Sequence, residues 1–245
     1  MKKLNKVAIV TGGSSGIGKN ISTALLKNGY KVFICGRTSD LLAETVNDIG
    51  YLGDIEYFKL DISNKKAIQK FIDKWGTHID VLVNNAGICG IEKLDEDIGI
   101  WEEILATNLH GVYYLTRGLI KWINKKGSIV NISSQLGLEG RAGFGAYCAS
   151  KHALLGITKC WAKELGENNI RVNAVCPGWV KTEMAMNDIK KMAEQRGIKT
   201  DQLYKEICNE LDLKRFVESE EVAELVSFLI SNKSNGITGQ IHSIR

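Results

Sequence analysis

Short apolar segments alternate with stretches in which apolar residues recur at helical spacing, and this alternation constrains the fold more than any other sequence feature. The first segment, at 7–10, reads Val-Ala-Ile-Val, and after a glycine-rich turn the apolar residues between 21 and 26 have helical spacing. Continuous apolar runs of this length are typical of strands that are buried on both faces. Further strands are predicted at 31–35, 55–60, 80–83, 128–132, 170–175 and 241–244.

Strands that alternate with helices bury their apolar surfaces in a parallel sheet whose right-handed crossovers place helices on both faces. We therefore predict an α/β fold with a doubly wound parallel sheet. One long helix is predicted over 101–124, another from residue 147 to about residue 165, and a last helix over 219–230.

The chain has no internal repeat, low-complexity tract or linker, and its 245 residues fit one α/β domain spanning 1–245. Within this domain, residues 182–215 change to a methionine-rich, charged composition. We interpret this segment as a helical excursion over the strand ends. It is either a substrate lid or a surface hairpin without a function.

Composition and charge argue against several classes of function. Hydrophobic residues make up 44% of the chain, and the net charge of +4 comes from basic residues that are spread along it. This distribution predicts neither a nucleic-acid partner nor a membrane partner. The six cysteines form no CxxC pair and no metal-ligand spacing, which predicts buried thiols in a reducing compartment and no metal site. With no signal peptide or long apolar run recognised, we predict a cytoplasmic protein.

The glycine-rich turn after the first strand predicts a phosphate-binding site. Its spacing, Gly12-x-x-x-Gly16-x-Gly18, differs from the commoner G-x-G-x-x-G, but it lies between a strand and a helix as dinucleotide-binding turns do. Glycines let the backbone approach a pyrophosphate closely, and the helix N-terminus presents N–H groups and a positive dipole to it.

The end of the second strand distinguishes NAD from NADP. An acidic side chain there would bind the ribose 2′-hydroxyl of NAD, whereas an arginine suits the additional phosphate of NADP. Gly36 occupies the position at which the acidic residue is expected, and Arg37 and Thr38 follow it. We therefore favour NADP(H) over NAD(H); the alternative is that Arg37 is only a solvated loop residue.

The segment from Ser134 to Lys151 provides groups for acid–base chemistry. Tyr147 and Lys151 are four residues apart and so share one face of a helix. A phenol with an ordinary pKa of about 10 is a poor base near neutral pH. An adjacent ammonium favours the phenolate, so the pair predicts a general acid or base at Tyr147.

Polar residues also lie at or near the ends of several other predicted strands. Asp61 follows the third strand, where its carboxylate would either accept from an adenine amino group or cap the next helix. Asn84 and Asn85 follow the fourth strand, and Pro177, the only proline, follows the sixth. Ligands of open parallel sheets bind at these ends. Asn108, within the long predicted helix, either bonds back to its own helix or holds a water near a catalytic lysine.

Taken together, these motifs resemble the single-domain short-chain dehydrogenase/reductase family over essentially the whole chain. The residues that carry the resemblance are Thr11-Gly12-x-x-x-Gly16-Ile17-Gly18, Asn84-Asn85-Ala86-Gly87, Asn108, Ser134, Tyr147-x-x-x-Lys151 and Pro177-Gly178. Within the family, the chain looks most like 3-oxoacyl-thioester and polyketide ketoreductases. The resemblance implies a seven-stranded Rossmann sheet of order 3-2-1-4-5-6-7 and hydride transfer between a nicotinamide and a ketone or secondary alcohol.

The resemblance also implies a role for each matched residue. Tyr147 would be the acid or base, and Ser134 would orient the substrate oxygen. Lys151 would lower the pKa of Tyr147 and bind the nicotinamide ribose, while Asn108 would support a proton-relay water. Strand alternation separates Ser134 from Ser133, and the spacing to Tyr147 favours Ser134.

The implied cofactor-binding and substrate residues come from loops at the carboxyl edge of the sheet. The cofactor-binding residues are Gly12, Ser14, Ser15, Gly16, Ile17, Gly18, Arg37, Thr38, Asp61, Ile62, Asn84, Ala86, Gly87, Tyr147, Lys151, Pro177, Gly178, Val180 and Thr182. The candidate substrate residues are Gln135, Arg141, Phe144, Trp179 and Met184. Arg141 either holds a substrate anion or is a solvated loop residue.

The favoured function is an NADP(H)-dependent reductase of a small-molecule ketone, such as a 3-oxoacyl thioester. The alternatives are an NAD-linked dehydrogenase of a small alcohol, sugar or steroid, and a dinucleotide-binding protein without catalysis. The resemblance further suggests a homotetramer with interface helices around 101–124 and 147–167. A carrier-protein partner is a weaker expectation, because only Lys125 matches the basic docking pair of related acyl-carrier reductases and Asn168 stands at the second position.

Overall fold

The computed structural model describes residues 6–92, 94 and 99–245, and it confirms the predicted doubly wound sheet. Seven parallel strands have the order β3-β2-β1-β4-β5-β6-β7, as the family resemblance implied. The strands are β1 (Val7–Thr11), β2 (Lys31–Gly36), β3 (Ile55–Lys59), β4 (Ile79–Asn84), β5 (Ile123–Ile132), β6 (Arg171–Pro177) and β7 (Ile241–Ile244).

Helices follow the strands and cover both faces of the sheet. They are α1 (Gly16–Lys27), α2 (Ser39–Ile49), α3 (Lys65–Lys74), α4 (Gly99–Leu105), α5 (Val112–Leu119), α6 (Gly145–Leu165), α7 (Glu183–Arg196), α8 (Thr200–Glu210) and α9 (Ser219–Ile230). Within the described part of the chain, no helix has the length and apolar character needed to cross a membrane.

Each face of the sheet packs against its own apolar layer. In β1, Ala8 and Val10 pack with residues of α1 and α9, whereas Val7 and Ile9 pack with residues of α3 and α5. Alternate strand residues point to opposite faces, so a strand that is apolar throughout fills both layers. The apolar runs of the sequence therefore form the centre of the molecule, and the polar strand ends lie at its edge.

The prediction of one continuous helix over 101–124 is wrong. Helix α4 ends at Leu105, a π-helical turn occupies Ala106–Gly111, and α5 ends at Leu119. A 3-10 turn at Ile120–Trp122 then leads into β5, which begins at Ile123 rather than at residue 128. The buried residues Ile104, Asn108, Val112 and Leu115 keep a spacing of three or four residues through this turn. Periodicity therefore does not distinguish the π-turn from an α-helix.

Glycine at position 111 is required by the packing of this π-turn. A Cβ atom there would lie 2.3 Å from the carbonyl oxygen of Ile62, which is backbone and cannot move aside. The turn therefore contacts the loop after β3 directly, and it brings Asn108 to the carboxyl edge of the sheet.

Between β6 and α9, helices α7 and α8 form a hairpin with an apolar core of its own. Ile189, Leu203 and Phe216 are buried in this core. At its base, the Lys181 N–H donates to the Val217 carbonyl oxygen at 2.9 Å, and the Val217 N–H donates to that of Trp179 at 2.9 Å. The hairpin is thus a separately packed unit that is joined to the sheet by a hydrogen-bonded neck.

Candidate active site

A crevice of about 460 Å³ lies at the carboxyl ends of β1, β2 and β4. It contains most of the residues that were predicted to bind a dinucleotide. These are Gly12, Ser14, Ser15, Gly16, Ile17, Gly18, Arg37, Thr38, Ile62, Ala86, Gly87, Tyr147, Lys151 and Thr182.

The glycine-rich turn shapes one wall of this crevice. Gly12 and Gly16 have φ angles of 64° and 47°, in the left-handed region that favours glycine. At Gly18, a Cβ atom would lie 2.1 Å from the Gly12 carbonyl oxygen, so the turn folds against the start of α1 without room for a side chain. Backbone and helix N-terminus are therefore both open to the crevice, a cradle that fits the pyrophosphate of a dinucleotide.

Of the two asparagines at the end of β4, Asn85 lies in the crevice as predicted and Asn84 does not. Asn84 does not line the crevice: it is buried inside the sheet, where its amide donates to Thr116 Oγ1 at 3.0 Å and to Asn131 Oδ1 at 2.8 Å. Asn85 lines the crevice instead, and its amide donates to the carbonyl oxygens of Thr11 and Gly12. Strand alternation would have distinguished the two, because Asn84 is the last residue of β4 and Asn85 lies beyond it.

Asp61 is also placed differently from its predicted contact with adenine. Its Oδ1 accepts from the Ser63 N–H at 2.9 Å and from the Ser63 hydroxyl at 2.7 Å. The cap of the following helix comes from Asn64, whose side chain accepts from Lys66 and Ala67. Asp61 is absent from the crevice lining, whereas its neighbour Ile62 is present.

A second cavity, of about 380 Å³, adjoins the crevice beneath the α7–α8 hairpin. All five predicted substrate residues, Gln135, Arg141, Phe144, Trp179 and Met184, line it. Three residues that were assigned to the cofactor, Pro177, Gly178 and Val180, line this cavity and not the crevice. Tyr147 and Thr182 line both, so the two spaces meet beside the phenol.

The choice between Ser133 and Ser134 follows from their contacts. The Ser133 hydroxyl is buried and donates to the Lys151 carbonyl oxygen at 2.9 Å, which fastens β5 to α6. Both serines line the second cavity, but Ser134 is only partly buried, and it lowers the pKa of the Tyr147 phenol against the larger effect of burial. This geometry supports Ser134 as the hydroxyl that contacts a substrate.

The pKa of Tyr147 is raised, which differs from the lowering expected from its lysine neighbour. Burial of the phenol is the largest cause, and the nearby Cys89 and Asp188 add to it, while Ser134 acts in the opposite direction. Desolvation disfavours the charged phenolate, and here it outweighs the other effects. Tyr147 is therefore protonated at neutral pH and suited to donate a proton.

Lys151 is a buried ammonium that is held in place by the sheet. Its Nζ donates to the Ile132 carbonyl oxygen at 2.9 Å and lies 5.6 Å from the centre of the Tyr147 ring. Burial lowers the pKa of Lys151 to about 8. At neutral pH the side chain still carries its charge beside the phenol. Burial of this charge lowers the free energy of unfolding.

Asn108, in the π-turn, connects two loops of the site. Its Oδ1 accepts from the Ile88 N–H at 2.8 Å, and its amide donates to the Ile88 carbonyl oxygen at 2.9 Å. The amide also donates to the Ser150 hydroxyl at 3.2 Å. Asn108 thus fixes the loop after β4 against α6; its expected part in a water relay stays a prediction.

Arg141 is exposed, and within the described residues it forms no ion pair. Its guanidinium lies 5.4 Å from the centre of the Trp179 ring and 6.0 Å from that of Phe144. Trp179 in turn stacks on Phe216 of the hairpin, with ring centres 5.3 Å apart. Cation–π contacts of this kind connect the loop after β5 to the hairpin across the mouth of the cavity.

The sequence did not indicate the acidic character of the second cavity. The additional charged residues that line it are Glu139, Asp188, Glu210, Asp212 and Arg245. Burial raises the pKa of Asp188, and Arg245 pairs with Asp212 at 3.3 Å. Charged residues on amphipathic helices usually face solvent, so no local pattern marks those that a hairpin brings over a cavity.

Comparisons with known proteins agree with this geometry. A family model described as short chain dehydrogenase matches residues 6–193. The chain is 35% identical to the 3-oxoacyl-[acyl-carrier-protein] reductase of Thermotoga maritima, over 100% of this chain and 98% of that protein. It is 33% identical to the D-beta-hydroxybutyrate dehydrogenase of Rhizobium meliloti, over 96% of this chain and 95% of that protein.

Among solved structures, the chain is similar to a variant of the actinorhodin polyketide ketoreductase with NADPH. The TM-score is 0.92 and the sequence identity 33%, and the alignment covers 98% of this chain and 95% of the other.

Replacing the buried ammonium should change stability in a pH-dependent way. Lys151 has a folded pKa of about 8 against 10.5 for the free side chain, so the folded state is penalised below pH 8 and relieved as pH rises from about 8 to 10.5. Near pH 7 this penalty is about 3 kcal/mol. We expect the unfolding free energy of Lys151→Met, relative to the wild type, to fall by about that amount between pH 7 and 10.5.

Denaturant unfolding at several pH values measures this difference, because the other titrating groups are shared by both proteins and cancel. Lys70→Met, on the exposed side of α3, is the matched control and should show no such trend. A stability difference that is independent of pH would contradict the buried-charge interpretation.

Proposed function

The chain belongs to the short-chain dehydrogenase/reductase family of NAD(P)-dependent oxidoreductases, and from this premise we propose that it is an NADP(H)-dependent reductase of a ketone. A 3-oxoacyl thioester or a related ketone is the favoured substrate. The observation that carries the proposal is the position of Tyr147, whose side chain lines both the dinucleotide crevice and the second cavity. A substrate carbonyl in that cavity would meet the phenol where the two spaces join.

The side chains at this junction support reduction. When bound, the nicotinamide supplies the hydride, and the protein supplies placement and electrostatics. Negative charge grows on the carbonyl oxygen, where Ser134 and Tyr147 would donate hydrogen bonds and Tyr147 would transfer its proton. The raised pKa of Tyr147 keeps that proton available at neutral pH. The Lys151 ammonium would stabilise the phenolate that remains.

Two observations support NADP(H). Arg37 lies at the end of β2, is exposed and lines the crevice, with Gly36 at the position of the expected carboxylate. A guanidinium forms charge-assisted hydrogen bonds with a phosphate. In addition, the similar actinorhodin ketoreductase structure contains NADPH.

The relatives support the substrate class. The 3-oxoacyl-[acyl-carrier-protein] reductase matches this chain from end to end, and the similar solved structure is a polyketide ketoreductase. The alternative, an NAD-linked dehydrogenase of a small alcohol, is favoured by the similarity to a D-beta-hydroxybutyrate dehydrogenase. The homotetramer, the carrier-protein partner and the cytoplasmic location remain predictions from the sequence.

Removal of the phenol hydroxyl should strongly lower the rate of ketone reduction. We expect Tyr147→Phe to lower kcat/KM by about 10²–10⁴-fold, the usual contribution of a positioned acid, with the NADPH dissociation constant unchanged. NADPH oxidation is to be followed with acetoacetyl thioesters, longer 3-oxoacyl thioesters and cyclic ketones. Tyr57→Phe, on the edge strand β3, is the control and should retain full activity. Turnover retained by Tyr147→Phe would contradict the proposal.

Cofactor preference should depend on Arg37. We expect Arg37→Ala to weaken NADPH binding by about 10-fold, as for the loss of one charge-assisted phosphate contact. NADH binding to the same variant is the control and should not change, because NADH lacks the extra phosphate. Equal wild-type affinities for the two cofactors, with no effect of Arg37→Ala, would favour the NAD-linked alternative.

The carboxylate of Asp188 should set the pH dependence of the reverse reaction. Alcohol oxidation requires the phenolate of Tyr147, so its rate rises with pH. Asp188 raises the pKa of Tyr147, and removing this negative charge in Asp188→Asn lowers that pKa. The rise in kcat should therefore move to lower pH. Asp201→Asn, in the exposed first turn of α8, is the control. An unmoved profile would show that Asp188 does not act on the phenol.

A further inference from the structure

Helix α6, which carries Tyr147 and Lys151, begins without a cap from its own sequence. The N-cap residue is Phe144, with φ −128°, and it provides no side-chain hydrogen bond. The first four N–H groups of a helix have no intrahelical partner and need other acceptors. In α6, the acceptor for the Ala146 N–H comes from outside the helix.

That acceptor is Glu92, in the loop after β4. Its Oε1 accepts from the Ala146 N–H at 2.5 Å, across 54 residues of sequence. The Glu92 N–H donates to the Gly143 carbonyl oxygen at 2.9 Å, so the backbone of the loop is fastened to the same turn. A Cβ atom on Gly145 would lie 2.7 Å from Oε1, so a larger residue there would displace the carboxylate from this position.

We propose that Glu92 is a positioning residue for Tyr147, which it places by capping the catalytic helix from a distant loop. Ala146 directly precedes Tyr147, and Tyr147 is the third residue of the helix. A carboxylate at a helix N-terminus forms a charge-assisted hydrogen bond and complements the helix dipole. The inference rests on the proposed role of Tyr147 as the acid.

The backbone around Tyr147 is held on its other side as well. The Ser150 hydroxyl donates to the Tyr147 carbonyl oxygen at 2.8 Å, and it accepts from Asn108. Asn108 also holds Ile88, in the same loop as Glu92, through two hydrogen bonds. One loop therefore reaches the catalytic helix twice, directly through Glu92 and indirectly through Asn108.

The position of the phenol matters because proton transfer requires close alignment. A displacement of about 1 Å at a reacting group can lower the rate by about 10²-fold. Loss of the Glu92 cap would let the first turn of α6 fray while the rest of the helix, including Lys151 one turn later, stays packed on the sheet. We therefore expect a larger decrease in kcat than in the affinity for the cofactor.

The test compares Glu92→Ala with Glu92→Gln. We expect Glu92→Ala to lower kcat for ketone reduction by about 10-fold while the NADPH dissociation constant changes by less than about twofold. Glu92→Gln keeps an oxygen acceptor and should restore most of kcat. Asn64→Ala is the matched control: it removes the cap of α3, where Asn64 accepts from Lys66 and Ala67, and should lower Tm without lowering kcat.

A kcat of Glu92→Ala equal to that of the wild type, or failure of Glu92→Gln to restore it, would overturn the proposal. Amide hydrogen exchange at Ala146 gives a readout that does not need turnover. Its protection should fall by about 10-fold in Glu92→Ala and stay unchanged in Asn64→Ala. If the wild type reduces no ketone, the exchange measurement still tests whether Glu92 caps α6. Failure of the proposed reductase activity and failure of the proposed cap can therefore be distinguished.

Discussion

Burial of both faces of a parallel sheet is the constraint on which the rest of the structure depends. The central strands are apolar throughout and fill two layers of core, which leaves the strand ends as the places where polar groups can reach a ligand. Because all seven strands run in the same direction, these polar ends lie at one edge. The dinucleotide crevice and the adjoining cavity meet at this edge for that reason.

Two polar side chains of the site are buried, which costs free energy because they lose contact with water. Hydrogen bonds to fixed partners offset part of this cost. Lys151 is only 4% exposed, and Asn108 is fully buried. The Ile132 carbonyl oxygen accepts from Lys151, and Ile88 and Ser150 satisfy Asn108. Side chains held in this way need little reorganisation when charge develops on a substrate oxygen. Burial of the Lys151 ammonium thus lowers the free energy of unfolding at the site that is proposed for catalysis.

The second cavity differs in character from the crevice. The rings of Phe144 and Trp179 and the guanidinium of Arg141 form part of its wall, while carboxylates such as Asp188 supply negative charge. One side of this cavity is thus formed by a hairpin that packs around its own core. The residues proposed for catalysis, Ser134, Tyr147 and Lys151, lie after β5 and on α6, outside this hairpin.

Periodicity and spacing predicted the alternating strands and helices, the glycine turn and the pairing of Tyr147 with Lys151. The family resemblance implied the strand order and added Ser134 to that pair. Periodicity did not predict the π-turn at Ala106–Gly111, because the buried residues on either side of it keep the spacing of an α-helix. Asn84 and Asn85 share one motif, yet only the end of β4 decides which of them faces the crevice. The acidic cavity wall combines Asp188 and Glu210 of α7 and α8 with the loop residues Glu139 and Asp212. The pattern of these amphipathic helices is that of a solvated surface.

The sequence by itself thus determined the architecture and the residues available for catalysis, since both follow from local spacing and from the direction of parallel strands. Only the tertiary structure decided how those residues behave. The direction of the Tyr147 pKa shift depends on how far the surrounding elements exclude water. The cap of its helix depends on Glu92, which folding brings to Ala146 from 54 residues away. Desolvation and long-range contacts are properties of the packed chain, and no local pattern encodes them.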